Sequence, residues 1–323
     1  MLVLNAHIVF AQSRGRKELN LRKPANVRIE KSWKVLTDTA IITLPRNVAD
    51  FDKQKVSDVF RPGDPVTINL GYNGQFTQEF IGFVSRVSAD IPIQIHCEDA
   101  MWKLKQIPVH TSFPKATLQE LLFTIVEDYA VDALEVDLGK VRYANTTVAK
   151  VLDDLKRTYG LYSYMSDDTL VCGKIYGDDT NIAPVTLHLE KNVHKNGNRL
   201  EYKNADDLNI KVKAVSTMPD GKKISVEVGD ETGETRQLTY YNITNEADLK
   251  KLAEEDLRKF KVDGYRGTLT TFGLPVVEHG YKVQLESDLY PDRAGLYYVE
   301  SVSVRFGEGY QYSRTITLGD RAQ

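Results

Sequence analysis

Hydrophobic and polar residues alternate with a period of two through most of residues 1–105. Such alternation is typical of short antiparallel strands with one buried face. The clearest runs lie at residues 27–35, 40–44, 66–70 and 80–87. Turn residues separate these runs, and the pair Asn73-Gly74 favours a tight hairpin. The pattern predicts a small β-barrel or sandwich.

Between residues 106 and 175 the hydrophobic spacing changes to that of helices. Thr117 and Glu120 have the spacing of a capping box, and a hydrophobic stripe follows at residues 118–129. A second stripe lies at residues 148–159, and Gly160 is placed to end it. The spacing predicts two amphipathic helices.

A hairpin is predicted directly after these helices. Apolar runs at residues 161–165 and 169–172 flank the turn residues Ser166, Asp167 and Asp168. Helices followed by a hairpin indicate a small α/β module inserted between β domains.

Alternating strands return at residues 176–240 and again at 265–320, with one more amphipathic helix at 245–260 between them. The predicted fold class is mainly β with an α+β insertion, built on two similar small β-barrels. The predicted domains are a first barrel at 1–105, the α/β module at 106–175, a β-rich peripheral region with a helix at 176–262, and a second barrel at 263–323. Residues 176–240 are expected to contribute strands to the second barrel.

An internal repeat connects the two ends of the chain. Residues 63–68 are echoed by residues 280–285, each a glycine followed by an alternating strand. In the strands that follow, the matching positions are Phe83 with Tyr298, Val84 with Val299 and Val87 with Val302. Chance similarity between two hairpins is the alternative to duplication. A duplicated barrel would let three chains present six similar barrels, a pseudo-sixfold surface from a threefold assembly.

Composition argues against several classes of function. The 323 residues carry a net charge of −3, so no global basic field for nucleic-acid binding exists. Cys97 and Cys172 lie in apolar alternating runs, which favours buried free thiols over a disulfide. We find no convincing signal peptide and no apolar stretch near the roughly 18 residues of a membrane helix. The sequence predicts a protein assembled in a cytoplasm.

Catalytic motifs are not found. The sequence has no HExxH, GxSxG or GxxxxGK[ST] motif, and no histidine pair has helical zinc spacing. The six histidines are His7, His96, His110, His188, His194 and His279. His188 and His194 are expected at the surface, and Cys97 is expected to be a buried strand residue. We therefore predict no catalytic, cofactor-binding or metal-binding residues, and no enzyme.

Local charge clusters have ordinary explanations. Adjacent acids occur at Asp153-Asp154, Asp167-Asp168, Asp206-Asp207 and Glu254-Glu255. Glycosidase carboxylates must face each other across about 5 to 9.5 Å, which adjacency does not provide. The basic cluster Arg14, Arg16, Lys17, Arg22 and Lys23 is predicted to lie in a loop, either solvated or against an acidic partner surface.

Several segments, in order, resemble the phage late control D family, the contractile-tail hub proteins that also correspond to the N-terminal part of VgrG proteins. The segments are residues 60–66, 80–87 and 95–104 for the first barrel, 148–173 for the helix and hairpin, and 295–319 for the last strands. No single segment is diagnostic, and each is a signature of fold. The chain stops soon after the second barrel, without the OB-fold and β-helical spike of VgrG proteins.

The resemblance implies a structural baseplate hub of a contractile phage tail, or of a prophage or tailocin-type injection system. It implies a homotrimer that adapts the hexameric tail tube to a trimeric spike, with wedge proteins at its periphery. DNA or an effector would pass through a central channel without specific binding. The implied location is the virion baseplate, after assembly in the bacterial cytoplasm, with no membrane insertion by the protein itself.

Two alternatives stay open. One is a tail-associated cell-wall hydrolase that uses residues 106–175, and the other is a carbohydrate-binding tail adhesin. Tyr240, Tyr241, Tyr265, Tyr310 and Tyr312 are candidate interface anchors, although such residues are more often core. Converging acids or a Cys-His pair in a cleft would favour the hydrolase, and exposed aromatic platforms would favour the adhesin.

Overall fold

The structure is a computed structural model that describes residues 2–45, 59–89, 91–176, 182–194, 198–307, 309 and 311–322. Strands dominate it. In the amino-terminal part they are β1 Leu4–Phe10, β2 Leu19–Leu21, β3 Asn26–Ser32, β4 Thr39–Thr43, β5 Pro65–Tyr72, β6 Gln75–Val87 and β7 Gln94–Glu98. The middle strands are β8 Pro108–Thr117, β9 Ala130–Ala133, β10 Asp137–Thr147, β11 Ser163–Ser166, β12 Thr169–Cys172, β13 Val185–His188 and β14 Arg199–Lys203. The remaining strands are β15 Ile210–Thr217, β16 Lys223–Gly229, β17 Glu234–Tyr241, β18 Gly264–Phe272, β19 Lys282–Glu286, β20 Gly295–Phe306 and β21 Tyr312–Arg321.

Helices are few in the described part of the chain. They are α1 Met101–Leu104, α2 Leu118–Ile125, α3 Val148–Tyr159 and α4 Glu246–Phe260. No helix among the described residues is both long and apolar enough to cross a membrane.

One 13-stranded sheet carries both predicted barrels. The first barrel consists of β1 and β3–β7, and the second consists of β13, β14 and β18–β21. Their inward residues form a single hydrophobic cluster that extends from Ala6 to Leu318. The alternation read from the sequence explains the strands, because Val66, Ile68 and Leu70 of β5 are buried while Pro65, Thr67 and Asn69 between them are partly exposed. The predicted mainly β fold is confirmed.

Local turn chemistry also agrees with the sequence. Asn73 and Gly74 have φ angles of 52° and 81°, so both residues of the turn between β5 and β6 are left-handed, as in a type I′ hairpin. One predicted run was too long, since β3 ends at Ser32. Trp33 lies outside the strand, buried in edge contact with Tyr162 of the α/β module at 5.1 Å between ring centroids.

The α/β module contains the predicted helices and hairpin. Thr117 and Glu120 form the full capping box of α2, and Gly160 ends α3 with a φ of 71°. Strands β11 and β12 form the predicted hairpin. The module also contains the antiparallel pair β8–β10, which was not predicted and which packs with the helices in a second hydrophobic cluster. Pro114 and the polar residues of β8 interrupt the alternation that would have revealed this strand.

The peripheral region forms a three-stranded sheet, β16-β15-β17, against α4. Leu249 and Ala253 of α4 are buried in a third hydrophobic cluster with Val212 and Ala214 of β15. Asn245 caps the helix through its side chain, as the predicted start at residue 245 requires. The division of the chain after residues 105, 175 and 262 stays a prediction.

Candidate assembly site: the seam between the two barrels

The repeated hairpin has the same register in both barrels. In the first barrel Pro65 pairs with Phe83, and in the second Lys282 pairs with Tyr298. These are the positions that the sequence repeat matches, since Phe83 corresponds to Tyr298. Identical register at both ends of the chain supports duplication over chance similarity.

Finer backbone details repeat as well. The amide of Gly63 donates to the carbonyl of Val84 at 2.7 Å, and the amide of Gly280 donates to the carbonyl of Val299 at 2.8 Å. Both glycines have positive φ angles, 91° and 81°, which the turn requires. Directly after Val84 and after Val299 the register shifts by a β-bulge, at equivalent positions of β6 and β20. A β-bulge at equivalent positions is a strong sign that the two barrels are copies of one unit.

The correspondence extends to the whole barrel. The strand order β1-β5-β6-β7-β4-β3 of the first barrel is matched by β13-β19-β20-β21-β18-β14 of the second. Following the registers, β3 corresponds to β14, so that Arg28, Ile29 and Glu30 match Arg199, Leu200 and Glu201. One difference is that β13 runs parallel to β19, whereas β1 runs antiparallel to β5. The sequence pattern alone does not reveal the match between β3 and β14.

The two barrels are joined by antiparallel pairing of β3 with the carboxyl half of β20, a contact that we call the seam. Its register pairs Ser301, Val302, Ser303, Val304, Arg305 and Phe306 with Ser32, Lys31, Glu30, Ile29, Arg28 and Val27. The Ser303 hydroxyl donates to Glu30 Oε1 at 2.8 Å. Lys31 forms an ion pair with Glu278 at 2.9 Å across the same boundary. The seam is thus strand pairing reinforced by side-chain contacts.

A buried ion pair fixes the barrels to each other away from the seam. Arg314 Nη2 of β21 lies 2.7 Å from Glu79 Oε1 of β6, and both side chains have 0% exposure. The Tyr312 hydroxyl donates to the same carboxylate oxygen, and burial raises the pKa of Tyr312. Arg314 also donates to the backbone carbonyls of Val277 and Gly273 at 3.2 and 3.1 Å. No sequence pattern revealed this network, because its partners are more than 200 residues apart.

A cleft of about 950 Å³ separates the barrels from the α/β module. Asp38 and Asp99 are among the residues that line it, and Asp99 accepts hydrogen bonds from the amides of Asp38 and Met101, each at 3.0 Å. Burial, with a further contribution from the Asp38 charge, raises the pKa of Asp99 to about 7. His279 Nε2 lies 3.7 Å from Asp38 Oδ2. Both carboxylate oxygens of Asp99 accept hydrogen bonds from backbone amides. This geometry is that of a structural residue, located where the barrels and the α/β module line the same cleft.

His188 differs from the sequence expectation. Only 12% of its side-chain surface is exposed, and Nδ1 lies 3.1 Å from Glu190 while Nε2 lies 3.0 Å from Asp288. The Lys191 ammonium lies 2.9 Å from Nε2 and 3.1 Å from Asp288. His188 is largely shielded from solvent because β13 places it beside the loop after β19. A cation would have to displace Lys191, so the group fits an ion-pair network that joins two loops.

The structure agrees with the expectations for the two cysteines and the adjacent acid pairs, but not with a solvated position for Arg16. Cys97 and Cys172 are buried free thiols as predicted, and burial raises the pKa of Cys172 to about 11. The adjacent acid pairs are exposed or half-buried. In the basic cluster Arg16 is not solvated, since its guanidinium donates to the carbonyls of Ala11 and Lys17 and lies 3.4 Å from Asp64.

The candidate tyrosine anchors divide into two groups. Tyr265 and Tyr312 are buried in the barrel core, with 8% and 2% exposure. Tyr240 and Tyr241 are half-buried, and their hydroxyls donate to Asp256 and to the carbonyl of Tyr159. Tyr310 lies outside the described residues. The described tyrosines of this set therefore support the interior of the chain.

The fold is similar to that of solved phage tail proteins and of a component of the type VI secretion system. The predicted resemblance is therefore confirmed as a matter of fold. No protein-family profile and no curated protein matches the sequence.

Similar solved structures cover nearly the whole chain. The tail protein from Neisseria meningitidis MC58 is 16% identical with a TM-score of 0.61, and the match covers 99% of this chain and 97% of that one. The 43 kDa tail protein of prophage MuSo2 from Shewanella oneidensis is 15% identical with a TM-score of 0.61, over 97% and 98% of the two chains. The E. coli c3393 protein, a component of the type VI secretion system, is 9% identical with a TM-score of 0.55, over 100% and 77%.

Proposed function

We propose that this protein is the baseplate hub of a contractile phage tail or of a related injection system. It acts as a homotrimer that adapts a hexameric tail tube to a trimeric spike around an axial channel. Its role is structural and requires no catalysis or cofactor. DNA or an effector passes through the channel without specific binding, and the protein resides in the tail baseplate after assembly in the bacterial cytoplasm.

The observation that carries this proposal is the pairing of two equivalent barrels within one chain. A chain with two such barrels supplies two copies of one unit, so three chains supply six. Threefold symmetry can then match threefold partners on one side and sixfold partners on the other. The c3393 protein is described as similar to the T4 tail proteins gp27 and gp5, which supports the same role here.

The module and the peripheral sheet fit attachment at the outside of the ring. Each has its own hydrophobic cluster, distinct from the one shared by the barrels. We place the wedge contacts on these two parts, and the tube and spike contacts on the two rims of the barrel ring.

Electron microscopy of the purified chain tests the proposal. We expect class averages of a ring with an axial opening, with six similar lobes from three chains. Compact particles of a single chain, or a ring without an opening, would contradict it. Peptidoglycan zymography on the same sample tests the hydrolase alternative, and clearing of the gel would support that alternative.

A further inference from the structure

Two strand edges, one in each barrel, lack a strand partner among the described residues. Pairing on this side of β6 ends with the hydrogen bonds of Val84 to Gly63 and Asp64, so among the described residues the outer edge of β6 has no strand partner from Ser85 to Val87. Within the described ranges β14 pairs only with β18, which leaves its other edge free there. Free edges present unpaired amides and carbonyls and readily accept another strand.

The internal repeat relates these two free edges to the seam. The end of β6 corresponds to the carboxyl half of β20, since Val87 matches Val302. Strand β14 corresponds to β3, since Glu201 matches Glu30. Within the chain, β3 and β20 pair with each other. Each free edge is therefore the unpaired counterpart of one side of the seam.

We propose that β14 of one chain pairs antiparallel with the end of β6 of the next, so that a second copy of the seam joins neighbouring protomers. The inference rests on the proposed trimer and assigns the strands and register that hold it together. The contact is head-to-tail, and repetition of such a contact closes into a ring when the rotation permits.

The repeat also fixes the register of the intermolecular pairing. It places Arg86, Val87, Ser88 and Ala89 opposite Lys203, Tyr202, Glu201 and Leu200 of the neighbouring chain. Ser88 opposite Glu201 repeats the chemistry of the seam, where the Ser303 hydroxyl donates to Glu30. Arg86 opposite Lys203 is a pair of like charges at the end of the contact, where Glu201 already lies 3.1 Å from Lys203.

Burial differs between the seam and the free edges as this proposal requires. In the seam, Ile29 and Val302 have 0% and 1% exposure. Their counterparts Leu200 and Val87 are both only partly buried. Pairing of the free edges would cover these two apolar side chains, which gives the contact a hydrophobic component besides its backbone hydrogen bonds.

Backbone direction supports the same register. The Ser88 amide donates to the carbonyl of Gln94 in β7, on the side away from the free edge, at 2.8 Å. Because backbone groups alternate along a strand, Val87 and Ala89 direct theirs outward, toward the incoming strand. Ser88 and Glu201 then form a pair without mutual hydrogen bonds, whose Cα atoms lie about 4.5 Å apart. That spacing falls in the range of about 4.4–6.8 Å that a disulfide spans.

Cysteine cross-linking tests the assigned strands. The double variant S88C/E201C, oxidised at a concentration where the chain self-associates, is expected to give a covalent trimer on non-reducing gels that returns to monomer on reduction. The matched control S88C/L200C shifts the register by one residue and directs the two thiols to opposite faces, so we expect at least about ten-fold less cross-linking. The variant E30C/S303C provides the reference, since the seam should give an intrachain disulfide there.

The outcomes separate this inference from the proposed trimer. A trimeric mass in solution without a cross-link in S88C/E201C, while E30C/S303C oxidises, would overturn the assigned pairing and leave the trimer intact. Covalent dimers alone would indicate a twofold contact and contradict head-to-tail pairing. A chain that stays monomeric and does not cross-link would overturn both.

Discussion

Replacing Glu79 with alanine is expected to lower the free energy of unfolding by about 3–5 kcal/mol. The substitution leaves the guanidinium of Arg314 fully buried without its counter-charge. It also removes the acceptor of the Tyr312 hydroxyl. Urea or thermal unfolding of the purified variant measures the loss.

Two control variants isolate the buried charge. K34M breaks the Lys34–Glu300 pair, whose lysine side chain is 47% exposed, and exposed pairs contribute about 1 kcal/mol or less. The double variant E79L/R314M removes both charges and should recover most of the loss, because no unpaired charge remains. A loss for E79A as small as that for K34M would contradict the role assigned to the ion pair.

Stability is expected to fall as pH rises from about 4 to 7, through the titration of Asp99. Burial raises the pKa of this carboxyl to about 7 in the folded chain, whereas the unfolded value is about 3.9. The folded state thus binds a proton that the unfolded state has released, and stability present below the unfolded pKa is lost as pH rises. The loss is on the order of 4 kcal/mol over the interval.

The measurement is the difference in unfolding free energy between the wild type and D99N at several pH values. Since groups remote from Asp99 titrate alike in both proteins, the difference reports Asp99 together with its electrostatic coupling to Asp38. The unfolding free energy of D99N should increase relative to that of the wild type as pH rises, because the asparagine amide stays neutral. D220N serves as control, since Lys222 lowers the pKa of the exposed Asp220 and any slope should be small and opposite. Parallel profiles for the wild type and D99N would refute the assignment.

The sequence predicted the parts of the fold that local chemistry determines. Asn73-Gly74 specified its turn, Thr117 and Glu120 specified the start of α2, and Gly160 specified the end of α3. These features depend on neighbouring residues only, so one sequence suffices to find them. The repeat was visible for the same reason, since its turn glycine and alternating valines lie within short segments.

Long-range features were not predictable in this way. Glu79 and Arg314 meet because the two barrels pack together, and nothing near either residue signals the partner. Strand β8 lacks clean alternation, because its partner β10 and the helices decide its conformation. His188 looked like a surface residue because only the tertiary fold brings Glu190 and Asp288 to both sides of its ring.

The strands of the seam include one correspondence that the sequence reveals and one that it does not. The hairpins of the two barrels could be matched from sequence, but β3 and β14 could not, because only Arg28 with Arg199 and Glu30 with Glu201 are identical within a short strand. The registers supplied the missing alignment. The correspondence of the two free edges to the two sides of the seam therefore follows from the strand registers and not from the sequence alone.

The mass of the intact chain in solution tests the central claim most directly. Light scattering across a range of protein concentrations is expected to give a plateau at about three times the chain mass of 36.5 kDa. A mass that stays at one chain at every concentration, or that rises without a plateau as in an open filament, would contradict a closed ring of three.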